Sequence, residues 1–156
     1  MRLEPGEQWI CDVCGGVIEK PEDGYLQWKM NSDSKIEEFA IVHHISASPR
    51  RTQGGCYLEE PVRDFQLDGF LGVNGVLRLQ SLIDPDPFHR GAHYSRINNI
   101  QIWLETYRRL YIPYYEEARQ YWEQALNDNY FNEMNELTIY YPENLKKIIE
   151  HYEIND

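Results

Sequence analysis

Cys11-Asp-Val-Cys14-Gly15 sets two thiols two residues apart in a chain whose only other cysteine, Cys56, lies downstream of the pair His43-His44. Three thiolates and one imidazole make a complete tetrahedral ligand set for zinc, and four protein ligands leave no position open for water or substrate. Such a site acts first on folding, because the segments carrying the ligands must converge on one point. The sequence therefore predicts one structural Zn²⁺ as its cofactor, with Cys11, Cys14, Cys56 and one of two histidines as ligands.

The strand pattern discriminates between the histidines. Along an extended segment His43 shares a face with Phe39, Ile41 and Ile45, whereas His44 shares one with Ala40, Val42 and Ser46. An imidazole in apolar company needs partners for both ring nitrogens, and a metal on one with a backbone carbonyl on the other supplies them. His43 is the expected ligand and His44 the alternative.

Trp9 to Val13 and Val17-Ile18 flank the knuckle as two short strands, with Gly15 and Gly16 in the turn where amides must point at the thiolates. This Cys-x-x-Cys-Gly ribbon, residues 9 to 18, resembles the knuckle of zinc-ribbon and rubredoxin-like modules. The resemblance implies metal ligation by Cys11 and Cys14. The usual second Cys-x-x-Cys is absent, and Cys56 stands alone.

Tyr25 to Met30 and Lys35 to Ile45 alternate in polarity and read as strands joined by the loop Asn31-Ser-Asp-Ser34; Ser46 to Pro61 reads as an irregular loop that returns Cys56 to the site. Beyond it the period lengthens. Helices are predicted from about Gly75 to Ile83, from a Ser95 N-cap to Tyr111, from Pro113 to Asn127, and from Pro142 through Tyr152. Leu137 to Tyr141 is a short apolar run expected to be extended. The predicted class is α+β: a zinc-stapled antiparallel β module over residues 1–62, packed on a bundle of three or four helices over residues 63–156.

Charge narrows the partners. The chain carries 26 acidic against 15 Lys and Arg side chains, and residues 1–62 hold 11 against 6 of them, so neither part is basic. A duplex-binding surface needs a Lys/Arg footprint, and its absence argues against nucleic acid as a partner. An acidic field favours a basic protein partner. Thiols in a metal-knuckle spacing imply a reducing compartment, and the first residues lack an apolar signal core, so the expected location is cytoplasmic. No run approaches the roughly 18 apolar residues of a membrane span.

The 12 tyrosines and 4 tryptophans are unusually many, and Tyr114, Tyr115 and Trp122 are candidates for an aromatic face that contacts a protein partner. The same stretch interleaves arginines with aromatics, as a base-stacking surface does, but its glutamates would repel phosphates. An alternative reading is enzymatic. A Cys-x-x-Cys followed by a strand ending in His-His also resembles His-Asn-His nucleases, which would make His44 catalytic, and Asp84-Pro-Asp-Pro-Phe-His89 offers carboxylates and a histidine to a hydrolytic metal. The next asparagine and histidine after His44, Asn74 and His89, fall beyond the short ββα spacing of those nucleases. The leading expectation is a non-enzymatic zinc-binding protein that acts through protein contacts.

Overall fold

The two alternating segments pair as an antiparallel hairpin, β3 (Gly24–Met30) and β4 (Ile36–His43), in a computed structural model that describes residues 1–91 and 93–154. Asn31 shapes the turn, its side chain accepting the backbone N–H groups of Asp33 and Lys35 at 2.9 and 3.0 Å. A third strand, β5 (Val62–Gln66), joins the other edge of β3 to give the order β4-β3-β5. Sequence reasoning missed it. Its residues are mostly exposed and polar, so no apolar alternation marks them. Ahead of this sheet, β1 (Trp9–Ile10) and β2 (Val17–Ile18) form the small ribbon that carries the knuckle.

Helix α1 (Gly72–Ser81) starts just after a 3₁₀ turn over Leu67–Phe70 and lies directly on its backbone. A Cβ on Gly75 would stand 2.0 Å from the Phe70 carbonyl carbon, so only glycine admits this approach. Helix α2 (Ile100–Tyr111) begins later than expected. Its N-cap is Asn99, whose side chain accepts the Gln101 N–H at 2.9 Å. The residues before it have other partners: Arg96 C=O accepts the Ile36 N–H at 2.8 Å and Ile97 bridges to Ile36, extending the free edge of β4.

The helix expected over Pro113 to Asn127 is broken. Pro113 holds Ile112 extended, which ends α2, and Tyr114 then takes a left-handed φ of 70° as the cap of a short α3 (Tyr115–Ala118). A 3₁₀ turn over Arg119–Tyr121 links it to α4 (Trp122–Asn127). Leu137 to Tyr141 is a series of turns rather than an extended segment, since the N–H groups of Thr138 and Tyr141 each bond back three residues. Helix α5 (Pro142–Glu153) opens on proline as predicted, where a missing N–H costs little.

The architecture is α+β, with antiparallel sheets in the N-terminal part and helices in the C-terminal part. One apolar cluster joins Trp9, Cys11, Ile18, Leu26, Phe70 and Leu110, so knuckle, sheet and α2 share a core. A second packs α3 and α4 against α5 through Tyr115, Ala118, Leu145 and Ile149. No described helix is long and apolar enough to cross a membrane.

Candidate metal centre

The knuckle forms because its turn closes on itself and then docks on a strand edge. Cys11 N–H donates to Gly16 C=O and Gly15 N–H to Cys11 C=O, both at 2.9 Å, with Gly15 at a left-handed φ of 74°. Asp12 then completes the free edge of β4. Its N–H donates to Ile41 C=O at 2.9 Å, and its carboxylate accepts the Ile41 N–H at 2.7 Å. Two residues further along β4 stands His43, so this docking carries the thiols to the imidazole.

Cys11, Cys14, His43 and Cys56 converge until their ligand atoms all lie within 4.8 Å of one another, a group that can hold one metal ion. His43 Nδ1 is 3.3 Å from Cys14 Sγ and 3.9 Å from Cys56 Sγ. Zinc–ligand bond lengths in a regular tetrahedron put sulfur and nitrogen about 3.5 Å apart, and the two separations bracket that edge. Cys11 and Cys56 are buried, as is His43 at 5% exposure, and Cys14 is half-buried.

The surroundings orient each donor. His43 Nε2 lies 3.0 Å from Val17 C=O, which fixes it as the N–H donor and leaves the Nδ1 lone pair facing the sulfurs. Gly16 N–H donates to Cys14 Sγ at 3.4 Å, and Ser48 Oγ lies 3.0 Å from Cys56 Sγ. The thiols split in acidity. Burial pushes the Cys11 thiol up, but the backbone N–H groups of Cys14, Val13 and His43 outweigh it and bring its pKa down to about 7. Burial, with the neighbouring Cys11 and Cys56, pushes Cys14 up to about 11 despite the Gly16 N–H. Three thiols this close cannot all ionise alone, and a divalent cation among them reverses the penalty.

The other candidates lie elsewhere. His44 caps a 3₁₀ turn, its Nδ1 accepting the Ser46 N–H at 3.2 Å while its ring packs on Tyr25 at 4.6 Å between centroids. Asp84 accepts the Asp86 N–H at 2.8 Å, which is turn chemistry, and His89 is exposed in that loop. Neither belongs to a cluster of metal-ligating side chains among the described residues. Tyr115 is 4% exposed and donates its hydroxyl to Glu105. Trp122 stacks on Tyr140 at 5.5 Å, and half-buried Tyr114 has the Lys146 ammonium 5.8 Å over its ring.

Sequence reasoning overlooked Arg109, which joins the knuckle to the helices. It is 6% exposed, grips Glu116 with two bonds of 2.7 and 2.8 Å, and reaches Asp12 at 2.6 Å and Ile10 C=O at 3.0 Å. Burial would lower its pKa, yet Glu116 and Asp12 hold it above the ordinary value. The ribbon answers in kind: Ile10 N–H donates to Glu116 at 3.0 Å and the Trp9 indole to Arg109 C=O at 3.0 Å. Nothing in one sequence separates Arg109 from Arg108, which lies 4.0 Å over the Tyr140 ring. Arg119 bonds Glu105 at 2.8 Å, so all three arginines of this aromatic stretch are engaged within the protein.

No family model matches this chain, no curated protein matches its sequence, and no solved structure matches its fold.

Proposed function

We propose that Cys11, Cys14, His43 and Cys56 hold one structural zinc ion, and that the protein acts in the cytoplasm through contacts with a protein partner, a basic one being favoured by its charge. The observation that carries this reading is the closed Cys₃His group, whose donors are each oriented by the surrounding fold. Three thiolates with one imidazole select zinc over hard cations. Four protein donors complete a tetrahedron, which supports a structural ion rather than one that activates water. The metal-stapled module over residues 1–62 then serves as scaffold for the helical part. Of the aromatic face, Tyr114 and Trp122 retain solvent exposure to offer a partner.

The test is metal analysis coupled to folding. Protein purified without chelator should carry about one zinc per chain, and Cys14→Ser should lose both the metal and cooperative unfolding. Metal-free protein that still melts cooperatively at the same temperature rejects the structural ion. Cleavage of nucleic acid with added Mg²⁺ or Mn²⁺ that His44→Ala or His89→Ala abolishes at unchanged stability rejects the non-enzymatic reading.

A further inference from the structure

A chain with 26 acidic against 15 Lys and Arg side chains is negative overall. One concave region reverses that sign. Between the β3–β4 hairpin and the C-terminal end of α1, a cavity of about 270 Å³ has Trp28, Met30, Ile36 and Leu82 as its apolar wall and Arg63 and Arg96 as its only charged residues. An adjoining cavity of about 330 Å³ shares Met30, Ser34 and Arg63 and adds no further charge.

Both guanidinium groups stand on anchored backbone. Arg63 faces Trp28 directly across the β3–β5 ladder, and Arg96 is tied to the β4 edge through the Ile36 N–H at 2.8 Å. The Arg63 side chain makes no hydrogen bond or ion pair with any described residue. Arg96, which lines the cavity, donates from Nη1 to Ser81 C=O at 3.2 Å, which offsets the partial negative charge at the end of α1, and its other side-chain nitrogens have no described partner. The indole is fixed too, edge-on to Phe70 at 6.3 Å between centroids. The Ser34 hydroxyl adds a small polar group at the rim.

We propose that this pocket binds a phosphate monoester carried on a planar, apolar body. Two arginine forks match a dianion better than a singly charged carboxylate, because phosphate offers three acceptor oxygens and close to two charges at neutral pH. Trp28, Met30 and Leu82 supply the surface for a flat, apolar portion, and the combined volume suits a small molecule rather than a bare ion. At physiological salt, exposed charges farther than about 8 Å away are largely screened, so the negative charge of the rest of the chain weighs less on a bound anion than the two arginines lining the pocket.

The experiment is calorimetric titration of the metal-loaded full chain with adenosine monophosphate, with adenosine and inorganic phosphate as separate arms. Saturable binding at one site is expected for the nucleotide, with each fragment weaker by about tenfold or more, since a charge-assisted hydrogen bond contributes on that scale. Arg63→Gln and Arg96→Gln should each weaken the nucleotide by about tenfold, while exposed Arg50→Gln leaves it unchanged. Arg63→Gln has no internal partner to lose, so its melting temperature should match the parent and exclude unfolding as the cause. No saturable nucleotide binding, binding insensitive to both arginine variants, or equal affinity for free phosphate would overturn the proposal.

Discussion

Removing the guanidinium of Arg109 should uncouple the knuckle from the helices. Arg109→Met keeps most of the buried stem but strands the Glu116 carboxylate, whose side chain is 8% exposed and which now faces only the Ile10 N–H. Breaking a buried pair by deleting one partner costs about 3–5 kcal/mol, because the remaining charge is left uncompensated. In a chain of this length that lowers the melting temperature on the order of 10 °C. Asp12 suffers less, since it is a quarter exposed and keeps the Ile41 N–H. Glu116→Gln added to Arg109→Met removes the stranded charge while keeping an acceptor for Ile10, and should regain at least half of the loss. Urea titrations followed by tryptophan fluorescence at fixed free zinc measure all four members of the cycle. A loss below about 1 kcal/mol for Arg109→Met, or no recovery in the double variant, refutes the reasoning.

Further outcomes follow from the same geometry. Zinc must displace the protons of the thiols it binds, and Cys14 is pushed up to about 11, so zinc retention against a competing chelator should weaken as pH falls. Gly75→Ala forces a methyl group into the Phe70 backbone and should destabilise by at least about 2–3 kcal/mol in a denaturant titration. Tyr115→Ala should cost about 3–5 kcal/mol, as for a buried aromatic, while Tyr114→Ala costs clearly less and instead weakens any protein partner.

The convergence of Cys11, Cys14, His43 and Cys56 into a group that can hold a metal was legible because metal chemistry limits both residue type and spacing, and the alternation of Phe39, Ile41 and His43 along β4 singled out His43 from His44 as its imidazole. Helices α1, α2 and α5 announced themselves by apolar period and, in α5, by Pro142. Other elements depend on distant partners. β5 is a strand because β3 offers a free edge, not because Val62 to Gln66 alternate. Likewise Arg96 to Asn98 join β4 where local signals favoured an earlier helix start at Ser95. The break at Tyr114 required a left-handed tyrosine, which no propensity favours. By sequence Arg109 is only one of the arginines interleaved with aromatics. Its burial follows from the meeting of Asp12 and Glu116, which lie 97 and 7 residues away in sequence.

Zinc X-ray absorption spectroscopy on the purified chain, with His43→Ala and His44→Ala beside it, tests the metal centre most directly. A closed Cys₃His site predicts three sulfurs at about 2.3 Å and one nitrogen at about 2.0–2.1 Å, with zinc retained by His44→Ala and released or much weakened in His43→Ala. A spectrum with water in an open coordination position, zinc loss confined to His44→Ala, or protein that folds with no bound metal would contradict it.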